Sequence, residues 1–370
     1  RGFSESKTDP CVFMKKGMII LTYVDDCILI ANKKEMLDQF IHSLKNGIEK
    51  FEFTDEGPID KYLGVEVEKL KGKEFILRQP FFIQWILTAL NVSEGDYNSR
   101  EVPVIGPLLS RDLKGAKRKH DWSYRSAIGM LGYLQNSTRP DISMAVHQCA
   151  RFNANPMLWH EKAVKYIARY LLTLQDKGIH YKPDHTQGLE CYVDADFAGG
   201  WSSGDVNNPE CILSRTGYVI MYAGCPLTWC SKLQTEIALS TTEAEYIALS
   251  QSMREVIPFM NLIVEVGEFS LSTTPSQSSI AKYSRTIAAA SEWLRARSLL
   301  PEQNTLQSNT TISESMCLIR RLLFFQSAQQ INWRIFLRNL SIELFLQSYD
   351  NRLWVGRFHT SSTDYEGVWG

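Results

Sequence analysis

The stretch MIILTYVDDCILIA, residues 18–31, places two adjacent aspartates between two apolar runs. Both runs are short and rich in β-branched residues, which is typical of buried strands. Another apolar run, residues 11–14, precedes them after the turn Lys15-Lys16-Gly17. The pattern predicts strands joined by tight turns, with Asp25 and Asp26 at the tip of a hairpin.

Two neighbouring carboxylates at such a tip have two explanations. Aspartate is a common turn residue, so a solvated turn is the simpler one. The other is a divalent-metal site, because two like charges ~4 Å apart repel by ~4 kcal/mol at an effective dielectric near 20 and a cation removes that repulsion. Polymerases use two magnesium ions to hold the oxygens of a phosphoryl transfer.

Apolar periodicity predicts further elements after this hairpin. Helical spacing occurs in residues 34–51, 81–90, 124–134, 142–152, 159–174 and 241–266. Strand patterns occur in residues 60–69, 189–198, 216–224 and 226–232. Residues 100–119 are rich in Pro, Gly and basic side chains and indicate a linker or exposed loop. On the helix 159–174 the polar side is expected to carry His160, Lys162, Lys165 and Arg169.

The composition is ordinary for a globular chain of 370 residues, with 44% hydrophobic and 22% charged residues. A net charge of −1 gives nucleic-acid binding no support, yet does not exclude it, since a basic groove can be offset elsewhere. The eight cysteines show no CxxC pair and no zinc spacing, which predicts scattered buried thiols in a reducing compartment. No signal peptide and no apolar run of ~18–20 residues is found, so we expect an intracellular protein without a membrane partner.

Several longer motifs carry a resemblance to a known family. Tyr23-Val24-Asp25-Asp26 resembles the YVDD hairpin of the reverse-transcriptase palm. Its neighbours match the copia-type retrotransposon Pol polyprotein in order and spacing over roughly residues 1–265: GFSESKTDPCVF (2–13), KYLGVEVE (61–68), YRSAIGMLGYLQNSTRPDISMAV (124–146), HEKAVKYIARYLL (160–172) and KGIHY (177–181).

A second group of motifs looks like a copia-type ribonuclease H: CYVDADFAGG (191–200), SRTGYVIMYAG (214–224), LTWCSKLQ (227–234) and ALSTTEAEYIALS (238–250). The resemblance assigns the first-strand aspartate to Asp194 and the first-helix glutamate to Glu245, with Asp196 and Glu243 as alternates. Aspartate is depleted in strands, which favours a functional role for Asp194, whereas helix glutamates commonly form a solvated face. Glu243 and Glu245 are two residues apart on a helix, so at most one should face a metal.

The resemblance implies an α+β fold: a partial reverse-transcriptase palm with thumb and connection helices, then an incomplete ribonuclease H-like α/β domain and a disordered tail. The expected boundaries are 1–100 for the palm and thumb, 101–185 for the connection region, 186–268 for the ribonuclease H-like part and 269–370 for the tail. The implied cofactor is Mg²⁺ in two-ion sites, with Asp25, Asp26, Asp194 and Glu245 as ligands. The implied partners are an RNA template, a DNA primer and an RNA–DNA hybrid, in a cytoplasmic particle or the nucleus.

The family's later motifs are missing after about residue 267. Back-translation with free codon choice, read two bases on, lets residues 279–287 encode HCKVFEDN, residues 300–314 encode PRTKHIAIKYHHFR and residues 331–341 encode QLADIFTKPL. We therefore expect the frame to slip between about Glu265 and Ser276, which gives an out-of-frame tail and removes a third ribonuclease H aspartate. The third aspartate of the polymerase is expected upstream of Arg1.

The chain is thus expected to be a truncated Pol segment without complete active sites. Two alternatives remain open. One is a non-catalytic remnant that binds nucleic acid through Lys162, Lys165 and Arg169. The other is the functionless product of a decayed element.

Overall fold

The computed structural model describes residues 2–47, 51–93, 95, 100–104, 106–111, 114–184, 186–201 and 211–269, and the backbone of two strands at 282–283 and 353–358. The helices in these residues are α1 (Lys34–Asn46), α2 (Pro80–Ala89), α3 (Tyr124–Ser137), α4 (Ser143–Ala150), α5 (Leu158–Thr173) and α6 (Thr241–Glu268). The strands are β1 (Ser4–Glu5), β2 (Val12–Lys15), β3 (Met18–Tyr23), β4 (Asp26–Ala31), β5 (Phe53–Pro58), β6 (Lys61–Tyr62), β7 (Val65–Lys69), β8 (Phe75–Arg78), β9 (Ile179–Tyr181), β10 (Leu189–Asp196), β11 (Arg215–Tyr222), β12 (Cys225–Leu233), β13 (Lys282–Tyr283) and β14 (Leu353–Phe358). The predicted α+β class is confirmed.

The chain divides into two compact units. Among the described residues, the first contains those within 2–75, 258–269 and 353–358, and the second contains those within 76–257 and 282–283. One boundary falls inside α6 at Pro258, whose ring cannot donate a helical N–H. The predicted family boundaries near residues 100, 185 and 268 remain predictions. The predicted tail lies outside the described residues, apart from residue 269 and the two short strands.

The first unit contains a sheet with the strand order β1-β2-β3-β4-β14-β5, in which neighbouring strands are antiparallel. Strand β4 is buried from Cys27 to Ala31, as expected of a continuous apolar strand that is covered on both faces. Helix α1 adds Leu37 to the core that Met18, Leu29 and their neighbours form. The strands of the acidic hairpin β3–β4 are therefore held in place by a packed apolar core.

The single strand predicted over residues 60–69 is wrong, because these residues form the hairpin β6–β7. Leu63 and Gly64 join the two strands with φ values of 47° and 73°. Two residues with positive φ are the requirement of a type I′ turn, which matches the twist of the strands on either side. The Gly64 signal was present in the sequence but was read as part of an alternating strand.

The second unit contains a helical core to which α2, α3, α4 and α5 contribute. Its most deeply buried side chains lie at helical spacing on each helix and include Ile83, Leu87, Leu131, Leu134, Val164, Ile167 and Leu171. The predicted helices in this region are confirmed, with ends that differ by a few residues.

Arg139 forms the main polar clamp of this helical core. Its side chain is 1% exposed, and it donates from Nε and Nη2 to the two Asp141 oxygens at 3.0 and 2.8 Å. Its Nη1 donates to the carbonyl oxygen of Leu174 at 2.8 Å, and the Tyr170 hydroxyl donates to Asp141 at 2.7 Å. Burial alone would raise the pKa of Asp141, but the hydrogen bonds and charge of Arg139 outweigh it and lower this pKa. The clamp joins the end of α3 to the end of α5.

The second unit also contains a sheet with the order β12-β11-β10-β13. Strands β10, β11 and β12 are antiparallel, and β13 runs parallel to β10 opposite Glu190 and Cys191. Along β10, one face is buried through Leu189, Cys191 and Val193, and the other is exposed at Tyr192, Asp194 and Asp196. The Trp229 indole N–H donates to the Gln135 carbonyl oxygen at 2.9 Å, which ties β12 to α3.

No helix among the described residues is both long enough and apolar enough to cross a membrane. The cysteines of the described part, Cys11, Cys27, Cys149, Cys191, Cys211, Cys225 and Cys230, are free thiols. All of these except Cys11 and Cys230 are buried, which confirms the prediction of buried thiols for the other five.

We expect Arg139→Met to lower the free energy of unfolding by about 3 kcal/mol, because it leaves the half-buried Asp141 carboxylate without the buried guanidinium that is its counter-charge. Urea denaturation at pH 7 measures this loss, and the double variant Arg139→Met/Asp141→Asn should recover part of it. Because the pKa of Asp141 is lowered, its stabilising effect is present above its unfolded-state pKa and is lost as the pH falls through the lowered value.

Lys177→Ala is the matched control, since this ammonium lies 3.9 Å from Asp141 and is 51% exposed. We expect it to change the stability by less than about 1 kcal/mol. A loss as large as that of Arg139→Met would contradict the role of the buried pair.

Candidate functional site

Asp25 and Asp26 lie at the tip of the β3–β4 hairpin. Tyr23 and Asp26 are register partners, so Val24 and Asp25 form a two-residue turn. Val24 is 83% exposed and has a φ of 51°. A β-branched residue in the left-handed region is strained, and such strain is often found where a backbone positions functional groups. Both aspartates are half-buried.

Tyr62 lies close enough to the hairpin for its ionisation to depend on Asp26. Burial raises the pKa of the Tyr62 phenol, and the negative charge of Asp26 raises it further. The phenol therefore stays protonated at neutral pH and can act only as a neutral polar group beside the carboxylates. Asp26 itself takes part in further contacts within the described residues.

Asp194 and Glu245 are brought together by β10 and the start of α6. The backbone N–H of Ala195 donates a hydrogen bond to the Glu245 carboxylate. Partial burial raises the pKa of Glu245, and the Asp194 charge raises it further. The two carboxylates, which come from different elements, are thus close enough for the charge of Asp194 to disfavour ionisation of Glu245.

The two alternates have other contacts. Glu243 accepts a hydrogen bond from the Leu239 N–H at 2.7 Å, while the Glu243 N–H donates to Ser240 Oγ at 3.1 Å. This arrangement is close to a capping box, in which a serine and the glutamate three residues later satisfy the free N–H groups of a helix start. Asp196 stands opposite Arg215 on β11, where burial lowers the pKa of the guanidinium and the charge of Asp196 offsets part of this decrease.

Gln234 fixes the start of α6 against the sheet, and the sequence analysis missed it. The side chain is buried, and its Nε2 donates to Thr216 Oγ1 at 3.2 Å and to the Ala244 carbonyl oxygen at 2.8 Å. Its backbone N–H donates to Ser214 at 2.8 Å. Because Ala244 precedes Glu245, this buried amide helps to set the position of the glutamate. The only signal was a glutamine at the end of an apolar strand.

Each acidic pair supplies two carboxylates. In the described ranges no three His, Cys, Asp or Glu side chains come together as a metal-ligand set. Mg²⁺ is commonly bound through one or two carboxylates, with water and substrate phosphates as the remaining ligands. The donor sets therefore suit an ion that binds together with a phosphate, and neither forms a closed protein cage.

The polar side of α5 differs from its prediction at one residue. His160 is fully buried, stacks on Phe152 with ring centroids 4.0 Å apart, and contacts the Ser110 carbonyl oxygen at 2.9 Å. The placement of His160 on an exposed face was wrong, because its ring also accepts the Met157 N–H near the helix start. Lys162 is exposed, and Lys165 and Arg169 are half-buried.

No family model matches the chain. The chain is 34% identical over 282 residues to the retrovirus-related Pol polyprotein from transposon TNT 1-94 of Nicotiana tabacum, which covers 72% of this chain and 20% of that protein. It is 29% identical over 270 residues to the retrovirus-related Pol polyprotein from transposon RE1 of Arabidopsis thaliana, and this match covers 72% of this chain and 17% of that protein. It is 29% identical over 242 residues to the putative transposon Ty5-1 protein of Saccharomyces cerevisiae, and this match covers 64% of this chain and 73% of that protein. The chain spans about a fifth of the length of the two Pol polyproteins.

We expect Val24→Gly to raise the free energy of unfolding by about 1 kcal/mol, because glycine adopts positive φ without the steric penalty of a side chain. Val24→Ala keeps a Cβ and should give less than half of this gain. Urea denaturation measures both variants, and equal gains would show that the turn is not strained by the side chain.

We expect Glu245→Gln to stabilise the protein at pH 7, by up to about 1 kcal/mol for a partly exposed pair. A raised folded-state pKa means that the carboxylate destabilises the fold above the unfolded-state pKa and has no effect well below it. The gain should therefore disappear as the pH falls to about 4. Thermal unfolding from pH 4 to 8 measures it.

Glu243→Gln is the control, since it carries the same chemical change two residues away. Removal of a negative charge from the first turn of a helix weakens its interaction with the helix dipole, so a loss of a few tenths of a kcal/mol is expected at pH 7. A stabilisation by both variants would show that the effect does not come from Asp194.

Proposed function

This chain belongs to the Pol polyproteins of copia-type retrotransposons, and we propose that it carries parts of two nucleic-acid enzymes. One is an RNA-directed DNA polymerase, with Asp25 and Asp26 on its acidic hairpin. The other is a ribonuclease H, with Asp194 and Glu245 as metal ligands. The observation that carries the proposal is the approach of Asp194 and Glu245, because the negative charge of one raises the pKa of the other.

The proposed chemistry assigns simple roles to these side chains. Asp194 and Glu245 would bind Mg²⁺ between them, and Asp25 and Asp26 would do so at the hairpin tip. A bound ion supplies positive charge that stabilises the oxygens of a phosphate under attack. The carboxylates bind and orient, and a cation between them would offset their mutual repulsion. A hybrid substrate would be recognised by its duplex shape and its ribose hydroxyls rather than by base sequence.

We further propose that the chain alone does not turn over. Each acidic pair has two carboxylates in the described residues, and these residues contain no group of three potential metal ligands. Two-metal phosphoryl transfer needs ligands for both ions, held in a fixed geometry. The proposed partners, namely RNA template, DNA primer and RNA–DNA hybrid, would then be bound without being processed.

The rival candidate is a binding module without metal chemistry. It is favoured by the basic residues of α5, where Lys162 is exposed and Lys165 lies 2.9 Å from His120 at the surface. Basic side chains that contact phosphates release counterions, so such binding weakens steeply with salt. This mode needs neither Asp194 nor Glu245, which separates it from the first proposal.

We expect 10 mM Mg²⁺ with an RNA–DNA hybrid to raise the unfolding midpoint of the wild-type chain more than the hybrid alone does. Ligands that bind only the folded state stabilise it by mass action. The double variant Asp194→Asn/Glu245→Gln should lose this extra shift, whereas Glu243→Gln should keep it. An equal Mg²⁺ effect in the double variant would contradict the metal site and would favour the rival function, a binding module without metal chemistry.

The same preparations provide the activity test. No extension of a primed RNA template and no cleavage of the hybrid is expected in Mg²⁺. Turnover by the wild-type chain that Asp25→Asn/Asp26→Asn or Asp194→Asn abolishes would contradict the proposed incompleteness.

A further inference from the structure

Four basic side chains come together in the second unit, outside the acidic pair. His147 lies on α4, Arg151 follows that helix, Arg215 begins β11 and Lys232 lies near the end of β12. Arg215 Nη1 is 3.4 Å from His147 Nδ1 and donates to the Ser231 carbonyl and hydroxyl oxygens at 3.4 and 3.5 Å. We call these four residues the basic cluster.

The pKa of His147 reflects both its burial and its basic neighbours. Burial lowers the pKa of His147 to about 4, and the charges of Arg215, Arg151 and Lys232 contribute to the decrease. His147 is therefore neutral at physiological pH, and its Nδ1 can accept a hydrogen bond from Arg215 Nη1. Burial and the charge of Arg151 also lower the pKa of Arg215.

Acidic groups face the cluster from two sides. Asp196 stands opposite Arg215 on the neighbouring strand. Glu255 of α6 lies near Lys232: burial raises the pKa of Glu255, and the positive charge of Lys232 offsets part of this increase. No ion pair within 4 Å joins Asp196 to Arg215 among the described residues. The positive charge of Arg215 is thus not neutralised by direct contact with Asp196.

The guanidinium of Arg215 is buried at an energetic cost. Its side chain belongs to a residue only 9% exposed, and its Nη2 has no hydrogen-bond partner in the described part of the chain. A buried donor without a partner costs roughly 1–3 kcal/mol, and more when it carries charge. An anion that accepts from Nη2 would remove this penalty, and a guanidinium presents a fork that matches phosphate oxygens.

The position of Arg215 relates the cluster to the acidic pair. Asp196 pairs with Arg215, and Asp194 pairs with Gly217 on the same strand. Residues two apart on a strand share a face, so Asp194, Asp196 and Arg215 lie on one face of the sheet. The step from Asp196 to Asp194 is about 7 Å along the strand, which corresponds to roughly two nucleotides of axial rise in one strand of a duplex. Gly217 adds no side chain opposite Asp194.

We infer that Arg215, together with Arg151 and Lys232, binds a backbone phosphate of the nucleic acid whose neighbouring phosphates reach Asp194 and Glu245. This inference rests on the proposed function and names the group that would hold the substrate in register with the acidic pair. The phosphate accepts a hydrogen bond from Arg215 Nη2, and the exposed ammonium of Lys232 adds positive charge nearby. No covalent step is involved.

Arg215→Met tests the inference, because methionine fills space without charge or donors. Without added anion, we expect the variant to be as stable as the wild type or more stable, since an unpartnered donor is removed. Inorganic phosphate at 50 mM should raise the unfolding midpoint of the wild type above that in chloride of equal ionic strength, and this response should be lost in Arg215→Met. Arg125→Met, an exposed arginine of α3, is the control and should keep the response.

His147 supplies a second readout that a purely structural arginine would not change. A phosphate beside the ring favours the imidazolium, so the NMR titration of His147 should move to higher pH in phosphate than in chloride. An unchanged titration together with equal phosphate responses in Arg215→Met and wild type overturns the inference. So does a marked loss of stability in Arg215→Met with no phosphate response in the wild type.

A nucleic-acid binding experiment distinguishes a site for a backbone phosphate from a site for free phosphate only. In fluorescence anisotropy with an RNA–DNA hybrid, Arg215→Met should reduce the slope of log affinity against log salt by about 1 and weaken binding by about tenfold at 50 mM salt. Lys232→Met changes an exposed side chain at the end of β12, and it should also reduce the slope. Equal slopes in wild type and both variants overturn this inference alone, even if inorganic phosphate binds. Absence of hybrid binding by the wild type overturns the proposed function as well.

Discussion

The buried pair of Arg139 and Asp141 is the constraint on which the second unit depends. One guanidinium satisfies an aspartate and the last carbonyl group of the α5 segment, and it does so at the point where α3 ends. The helices held in this way also support the sheet, because Gln135 of α3 accepts the Trp229 indole and α4 contacts β12. Arg139, which is far from the carboxylates, thus contributes to the position of the sheet that contains β10. Gln234, at the end of β12, extends this support to the first turn of α6.

The candidate sites share a physical character that sets them apart from the core. Val24 has an unfavourable backbone angle, Glu245 carries a charge that its surroundings disfavour, and Arg215 has a buried N–H that finds no acceptor in the described part of the chain. Each of these features reduces stability by itself, and the apolar cores of the two units offset the loss. Such local conflicts are expected where residues are arranged for a ligand rather than for the fold.

The elements were predicted from the sequence where periodicity was long. The helices and the β3–β4 hairpin follow from apolar spacing, because buried faces impose their period on the chain. The hairpin at residues 60–69 was missed because a glycine turn interrupts a pattern that alternates on both sides. His160 was misplaced because a helical polar face does not reveal which of its members a neighbouring loop covers. Glu243 could have been assigned in advance, since Ser240-Thr-Thr-Glu243 is a capping-box sequence.

The edge of the sheet at β10 shows what these carboxylates do apart from any metal. Within the described residues β13 meets β10 only at Glu190 and Cys191, and further along the strand the Ala195 N–H is taken up by Glu245. An open strand edge invites a strand from another molecule, and proteins commonly prevent this with charged side chains. Glu190, Asp194 and Asp196 place negative charge along this strand, and such charge opposes the addition of a strand from another molecule beside it.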